Sequence, residues 1–162
     1  MTRRYAWVCG VVYAVIALGC AGRPPDPSLW VPKGWPVLHD DRCISSGYGY
    51  RTDPITGRRR FHGGIDIAAP KKVDVVATAN GKVLATGRDR GGYGKFVVID
   101  HGNGYTTRYA HLAWIKTKRG KRVERGDVIG KLGKTGRTTG FHLHYEVHLN
   151  GRTEDPRGYL SR

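Results

Sequence analysis

The clearest alternation in the chain lies at residues 141–149: Phe141-His142-Leu143-His144-Tyr145-Glu146-Val147-His148-Leu149. Histidine and glutamate hold one parity; leucine, tyrosine and valine hold the other. Successive side chains of a strand point to opposite faces. The pattern therefore predicts a strand with one face in a core and His142, His144 and Glu146 on the other. In a helix the two histidines would stand about 200° apart and could not act together. Elsewhere, short apolar runs punctuated by glycine predict further strands. Residues 73–78 run into Asn80-Gly81 with residues 82–86 beyond, which reads as a hairpin closed by a two-residue turn. Residues 95–100 follow, His101-Gly102-Asn103-Gly104 turns the chain, and residues 105–112 return. Val128 and Ile129 open another strand. With 24 glycines and no amphipathic helical period, the expected class is mainly β, an antiparallel sheet around one core.

Ahead of these strands the pattern changes twice. Residues 1–20 carry basic Arg3 and Arg4, an apolar run at residues 8–18 and a small-residue exit at Gly19-Cys20. The run is too short to span a bilayer and fits an export signal. Ile16-Ala17-Leu18-Gly19-Cys20 resembles the bacterial lipobox, with Ala17 where leucine is commonest. Lipidation of Cys20 would anchor the mature chain to a membrane, and Ala21 after the cysteine favours the outer one; simple secretion is the alternative. Residues 21–42 hold prolines at 24, 25, 27, 32 and 36. Such a stretch favours extended polyproline geometry and reads as a tether of up to roughly 60 Å. Trp30 and Trp35 suggest that its distal part packs on the domain at residues 43–162. If Cys20 is lipidated, Cys43 is a lone thiol expected to be buried; otherwise a Cys20–Cys43 disulfide is open to it in an oxidising compartment.

The formal net charge is +15, which predicts adhesion to polyanions. Nucleic acid is the usual partner of such a chain, but an exported one meets anionic cell wall and lipid headgroups instead. Arg58-Arg59-Arg60 reads as a solvated basic loop.

Candidate chemistry lies in three places. His142 and His144 share a strand face and can share a site, imidazole being the commonest zinc-binding nitrogen; the alternative is the polar outer face of an edge strand. In His62-Gly63-Gly64-Ile65-Asp66 the glycines argue for a turn that brings a histidine and a carboxylate together. In Tyr109-Ala110-His111-Leu112, Tyr109 and His111 are expected on one strand face. Each alone is weak.

In order, and with Ser46-Gly47-Tyr48-Gly49-Tyr50-Arg51-Thr52-Asp53-Pro54, Gly92-Tyr93-Gly94, Gly126-Asp127-Val128-Ile129-Gly130 and Gly133-Lys134-Thr135-Gly136 between and around them, these motifs resemble the lysostaphin-type (LytM-like) zinc metalloendopeptidases of bacterial cell walls. The resemblance runs from about residue 44 to residue 159. It implies that His62, Asp66 and His144 bind one Zn2+ ion. It also implies that His111 and His142 serve as base and transition-state stabiliser, without saying which does which. Glu146 is placed to hydrogen-bond a ligand from behind, and His148 is expected at the surface. Three features depart from the family: Phe141 stands where many members have proline, Lys71-Lys72-Val73-Asp74 replaces a Gly-Thr-Pro approach, and residues 56–61 lack the tyrosine that some members use.

The implied activity is hydrolysis of peptide cross-links in peptidoglycan, first D-alanine–diaminopimelate bonds and second glycine bridges. The expected location is the periplasm or cell envelope, as an outer-membrane lipoprotein. The competing reading is a non-catalytic module of the same fold that binds wall or activates another hydrolase.

Overall fold

A computed structural model describes residues 26–160; the export signal, Cys20 and residues 21–25 lie outside them. Thirteen strands form among the described residues. They are β1 Cys43–Ser46, β2 Gly49–Thr52, β3 Arg59–His62, β4 Ile65–Ala68, β5 Asp74–Val76, β6 Gly81–Asp89 and β7 Gly94–Asp100. Then follow β8 Tyr105–Leu112, β9 Trp114–Ile115, β10 Arg122–Val123, β11 Val128–Lys131, β12 His142–Leu149 and β13 Arg152–Glu154. The helical content among the described residues is two short 3-10 turns, Pro27–Trp30 and Pro156–Tyr159. No described helix is long and apolar enough to cross a membrane.

One large antiparallel sheet has the order β1-β4-β12-β8-β7-β6-β10, with β13 also on β12. A three-stranded sheet β5-β11-β9 and the hairpin β2-β3 complete the fold. The alternation of β12 places it at the centre of the large sheet. Leu143, Tyr145 and Val147 are fully buried in the core with Ile65, Ile67, Val97, Ile99 and Tyr109. The small sheet adds Val75 and Ile129 to the same core. Thr78, two residues beyond β5, ties the layers together: its hydroxyl meets the hydroxyls of Tyr109 and Tyr145 at 3.0 and 2.9 Å.

The chain from Asp26 is laid on the domain. Val37 is fully buried and bridges to Val75. Arg125 donates to the carbonyls of Ser28, Val31 and Thr78, and Gly34 N–H donates to the Tyr159 carbonyl. Arg42 stacks over Trp35.

Three expectations are corrected. Residues 73–78 and 82–86 do not form a hairpin, because β5 and β6 belong to different sheets. Neither Asn80 nor Gly81 has the positive φ that a two-residue turn demands. Instead Asn80 N–H donates to the Leu29 carbonyl and its side-chain oxygen accepts from Arg125 N–H, so the chain crosses between layers there. Cys43 is exposed, not buried; it begins β1 at the edge of the large sheet. Tyr109 and His111 do not share a face, for a reason that belongs to the site.

Candidate metal centre

His62 closes β3, Asp66 lies in β4 and His144 lies in β12. The turn between β3 and β4 passes so close to β12 that a Cβ at Gly64 would lie 2.3 Å from the Tyr145 carbonyl oxygen. That glycine is what lets the two segments touch. His144 and Asp66 are directly paired across β12 and β4. The result is a triangle of ligand atoms: His62 Nε2 to His144 Nδ1 3.0 Å, His144 Nδ1 to Asp66 Oδ1 2.9 Å, and His62 Nε2 to Asp66 Oδ1 3.2 Å. All three residues are buried.

Their outer contacts set what the triangle can hold. His62 Nδ1 lies 2.7 Å from the Gly47 carbonyl and His144 Nε2 lies 2.9 Å from Glu146 Oε1. A carbonyl and a carboxylate can only accept, so both ring nitrogens donate. In the neutral rings this leaves the lone pairs of His62 Nε2 and His144 Nδ1 facing each other and Asp66. Three acceptors at such distances repel unless a cation sits among them. Ligands about 2.0–2.1 Å from a tetrahedral ion lie about 3.3 Å apart, close to the sides of this triangle. The residues fit a divalent metal, and two imidazoles with one carboxylate match a catalytic set that leaves a coordination position open.

Charge fits as well. Burial alone would raise the Asp66 carboxyl; when protons rather than a cation occupy the inner nitrogens, hydrogen bonds from His144 and His62 outweigh burial and hold it well below the usual range. Burial alone would lower the His144 pKa, but in that same state hydrogen bonds from the imidazolium to Asp66 and Glu146 reverse the sign, so a proton takes the place a cation would fill. Glu146 is buried and would be raised by desolvation, yet four donors hold it ionised. Its Oε1 accepts from His144 and from the Tyr93 hydroxyl at 2.8 Å; its Oε2 accepts from Arg108 at 2.9 Å and His148 at 2.8 Å. His148 is thus half-buried in this network, not a surface residue.

His111 and His142 face the triangle with their rings 4.9 Å apart. By strand alternation His111 would point into the core beside Tyr109, because Ala110 is the residue opposite His144. It adopts φ +60° instead, a left-handed conformation costing an L-residue about 1–2 kcal/mol, and this swings the ring into the groove. Its Nδ1–H donates to the Thr135 carbonyl at 2.8 Å. The Thr138 hydroxyl donates to the Gly140 carbonyl, so His142 Nδ1–H, 3.2 Å away, donates to Thr138 Oγ1. One loop therefore orients both rings and leaves both Nε2 lone pairs free. That loop is held against the turn before β7: a Cβ at Gly136, whose φ is +78°, would lie 2.3 Å from Gly94 N. Burial pushes His111 down to about 4 and lowers His142, so both are neutral bases at pH 7.

A groove of about 370 Å³ opens over these residues. Its walls hold side chains whose roles alternation does not announce. The Tyr93 ring lies 5.7 Å from His144. Arg51 donates to Asp66 Oδ2 at 3.3 Å. Arg137 forks onto buried Asp53 at 2.7 and 2.9 Å, pinning the β2–β3 hairpin to the loop before β12. The sequence signal for Tyr93, Arg51 and Asp53 was their place in ordered glycine-rich motifs; Arg108 and Arg137 carried none.

Comparison with known proteins places the chain in a family. The profile of Peptidase family M23 matches residues 60–156. The DD-carboxypeptidase/endopeptidase Mpg of Neisseria meningitidis serogroup B is 50% identical over 113 residues, covering 70% of this chain and 26% of that protein. The chain thus spans about a quarter of the length of that relative. The crystal structure of a zinc-containing peptidase from Vibrio cholerae superposes with a TM-score of 0.71 at 41% identity, over 76% of this chain and 38% of the other. The catalytic domain of the antimicrobial peptidase lysostaphin from Staphylococcus simulans gives 0.66 at 29% identity, over 72% and 90%.

Proposed function

From the premise that the chain belongs to peptidase family M23, we propose that it is a zinc-dependent endopeptidase hydrolysing peptide cross-links of peptidoglycan, with D-alanine–diaminopimelate bonds as its substrate. The observation that carries this reading is the convergence of three lone pairs, from His62, Asp66 and His144, beside two neutral histidines whose rings line the same groove. The DD specificity in the name of the Neisseria relative supports the choice of bond. Such a substrate lies outside the cytoplasm, in keeping with the export signal read at residues 1–20 and a lipid on Cys20.

A zinc ion held by His62, Asp66 and His144 would polarise the scissile carbonyl and lower the pKa of water towards 7. Glu146 keeps His144 in the tautomer that presents Nδ1, and the Gly47 carbonyl does the same for His62 Nε2. His111 and His142 both begin as acceptors at Nε2. One of them takes the proton of the attacking water; only then does it own an N–H to offer the developing oxyanion or the leaving amine. The hydrogen bonds from their Nδ1 atoms to Thr135 and Thr138 keep both rings aimed through the cycle. The network of Tyr93, Glu146, Arg108 and His148 holds the floor of the groove rigid.

The test is incubation of the purified protein with peptidoglycan dimers joined by D-alanine–diaminopimelate bonds. Monomers should appear, cease with a chelator and return with added zinc. Wall binding with no cleavage under any of these conditions would instead identify a non-catalytic module.

A further inference from the structure

Arg51 stands on β2 opposite Arg60 of β3, and its side chain lines the groove beside His62 and Asp66. Of the five N–H donors of a guanidinium, one is engaged, Nη2 donating to Asp66 Oδ2 at 3.3 Å. Its Nε is buried and has no acceptor among the described residues. The other groove arginines differ. Arg137 gives both terminal nitrogens to Asp53. Arg60, 3.9 Å from Asp53, is largely exposed. Arg108, behind the groove lining, donates to Glu146 and covers the Tyr93 ring at 4.4 Å.

A guanidinium with unused donors, its Nε buried but its side chain 30% exposed at an open groove, matches a planar anion that takes two parallel hydrogen bonds. Arg51 approaches Asp66 from Oδ2, while Oδ1 belongs to the histidine triangle. It therefore stands one carboxylate group away from the candidate metal position. We propose that Arg51 recognises a free carboxylate on the amine side of the scissile bond, one carbon from the scissile nitrogen. This rests on the peptidase reading above and narrows it. A cross-link from D-alanine to the side-chain amine of diaminopimelate carries such a carboxylate, on the carbon that bears the scissile nitrogen. A bond inside a glycine bridge has none, and amidation of the carboxylate removes it. Arg51 is then a specificity-determining residue, distinct from the groups that move protons.

The recognition can be measured apart from turnover. The probe is a phosphinate analogue of the D-alanyl-D-alanine bond, made with a free terminal carboxylate and with a carboxamide, and titrated calorimetrically into the zinc-loaded protein. A charge-assisted pair in a partly buried groove predicts that the carboxylate form binds about 10-fold more tightly. In Arg51→Gln that ratio should fall to near one, and Arg51→Lys should keep part of it by charge alone. A ratio near one in the unaltered protein, an undiminished ratio in Arg51→Gln, or an analogue that binds in neither form would overturn the proposal. Hydrolysis of cross-linked dimers with free and amidated carboxylates runs beside it. Equal cleavage of both overturns the Arg51 assignment and leaves the peptidase intact. Carboxylate-selective binding lost in Arg51→Gln, with no cleavage of any dimer, upholds the assignment and refutes the peptidase.

Discussion

Glu146→Gln asks how far the candidate metal centre depends on the carboxylate behind it. The substitution keeps shape and removes one charge. In the native protein Oε1 accepts from Tyr93 and His144, and Oε2 from Arg108 and His148. A glutamine can face one pair with its oxygen; its NH2 group must then face the other pair, donor against donor. If the oxygen stays with Tyr93 and His144, the bonds from Arg108 and His148 are lost. Each hydrogen bond to a charged partner is worth about 1.5–3 kcal/mol. Arg108 and His148 side chains are 28% and 19% exposed, so water recovers part of that, and a net loss of about 2–4 kcal/mol is expected. If the amide turns the other way, His144 Nε2–H loses its acceptor and the ring is free to change tautomer. Both arrangements weaken the grip on His144, and zinc affinity should fall about 10- to 100-fold. Thermal melting gives the first quantity, and competition with a chromophoric chelator gives the second. Zinc affinity within twofold of the native protein would refute the argument that Glu146 sets the His144 tautomer.

Replacing His111 by alanine or by glycine removes the same imidazole, and either change should lower hydrolysis about 10²- to 10⁴-fold. Glycine accepts φ +60° without strain, so His111→Gly should melt at a higher temperature than His111→Ala; the reverse order would deny that the left-handed turn is strained. A third prediction concerns pH. His101 is fully buried, its Nδ1–H donates to the Asn80 carbonyl, and burial holds its pKa below the ordinary value of 6.5. The unfolded chain therefore takes up this proton first, so stability is lost as pH falls from about 6.5 towards the folded pKa and is flat above it. Unfolding free energies measured in urea from pH 7 to 5 should fall less steeply in His101→Gln; parallel slopes would show that His101 contributes nothing.

Much of this was legible because period-2 patterning is physically unambiguous when one face is buried. A one-residue slip at β12 would have put Leu143, Tyr145 and Val147 in water, so the face of His142, His144 and Glu146 followed from the apolar residues alone. The His62–Asp66 turn was legible for a similar reason: two adjacent glycines leave little choice but a bend. What resisted was whatever depended on contacts distant in sequence. Asn80-Gly81 has the composition of a hairpin turn, but hydrogen bonds to Leu29 and Arg125 draw it into a crossing between sheets. His111 breaks the alternation of its own strand, and only the loop carbonyl of Thr135 explains where its ring goes. His148 leaves the surface because buried Glu146 still has an oxygen free to accept from it. Arg51 is one of 28 lysines and arginines; its glycine-rich motif marks the segment, but nothing local says that its side chain reaches Asp66.

The central claim is that His62, Asp66 and His144 together hold one zinc ion, and native mass spectrometry of the purified protein tests it most directly. The account predicts a single zinc per chain in the native protein and none in His144→Ala, with circular dichroism showing that the variant retains its β-sheet. No zinc in the native protein, or one zinc still bound after His144→Ala, would contradict it.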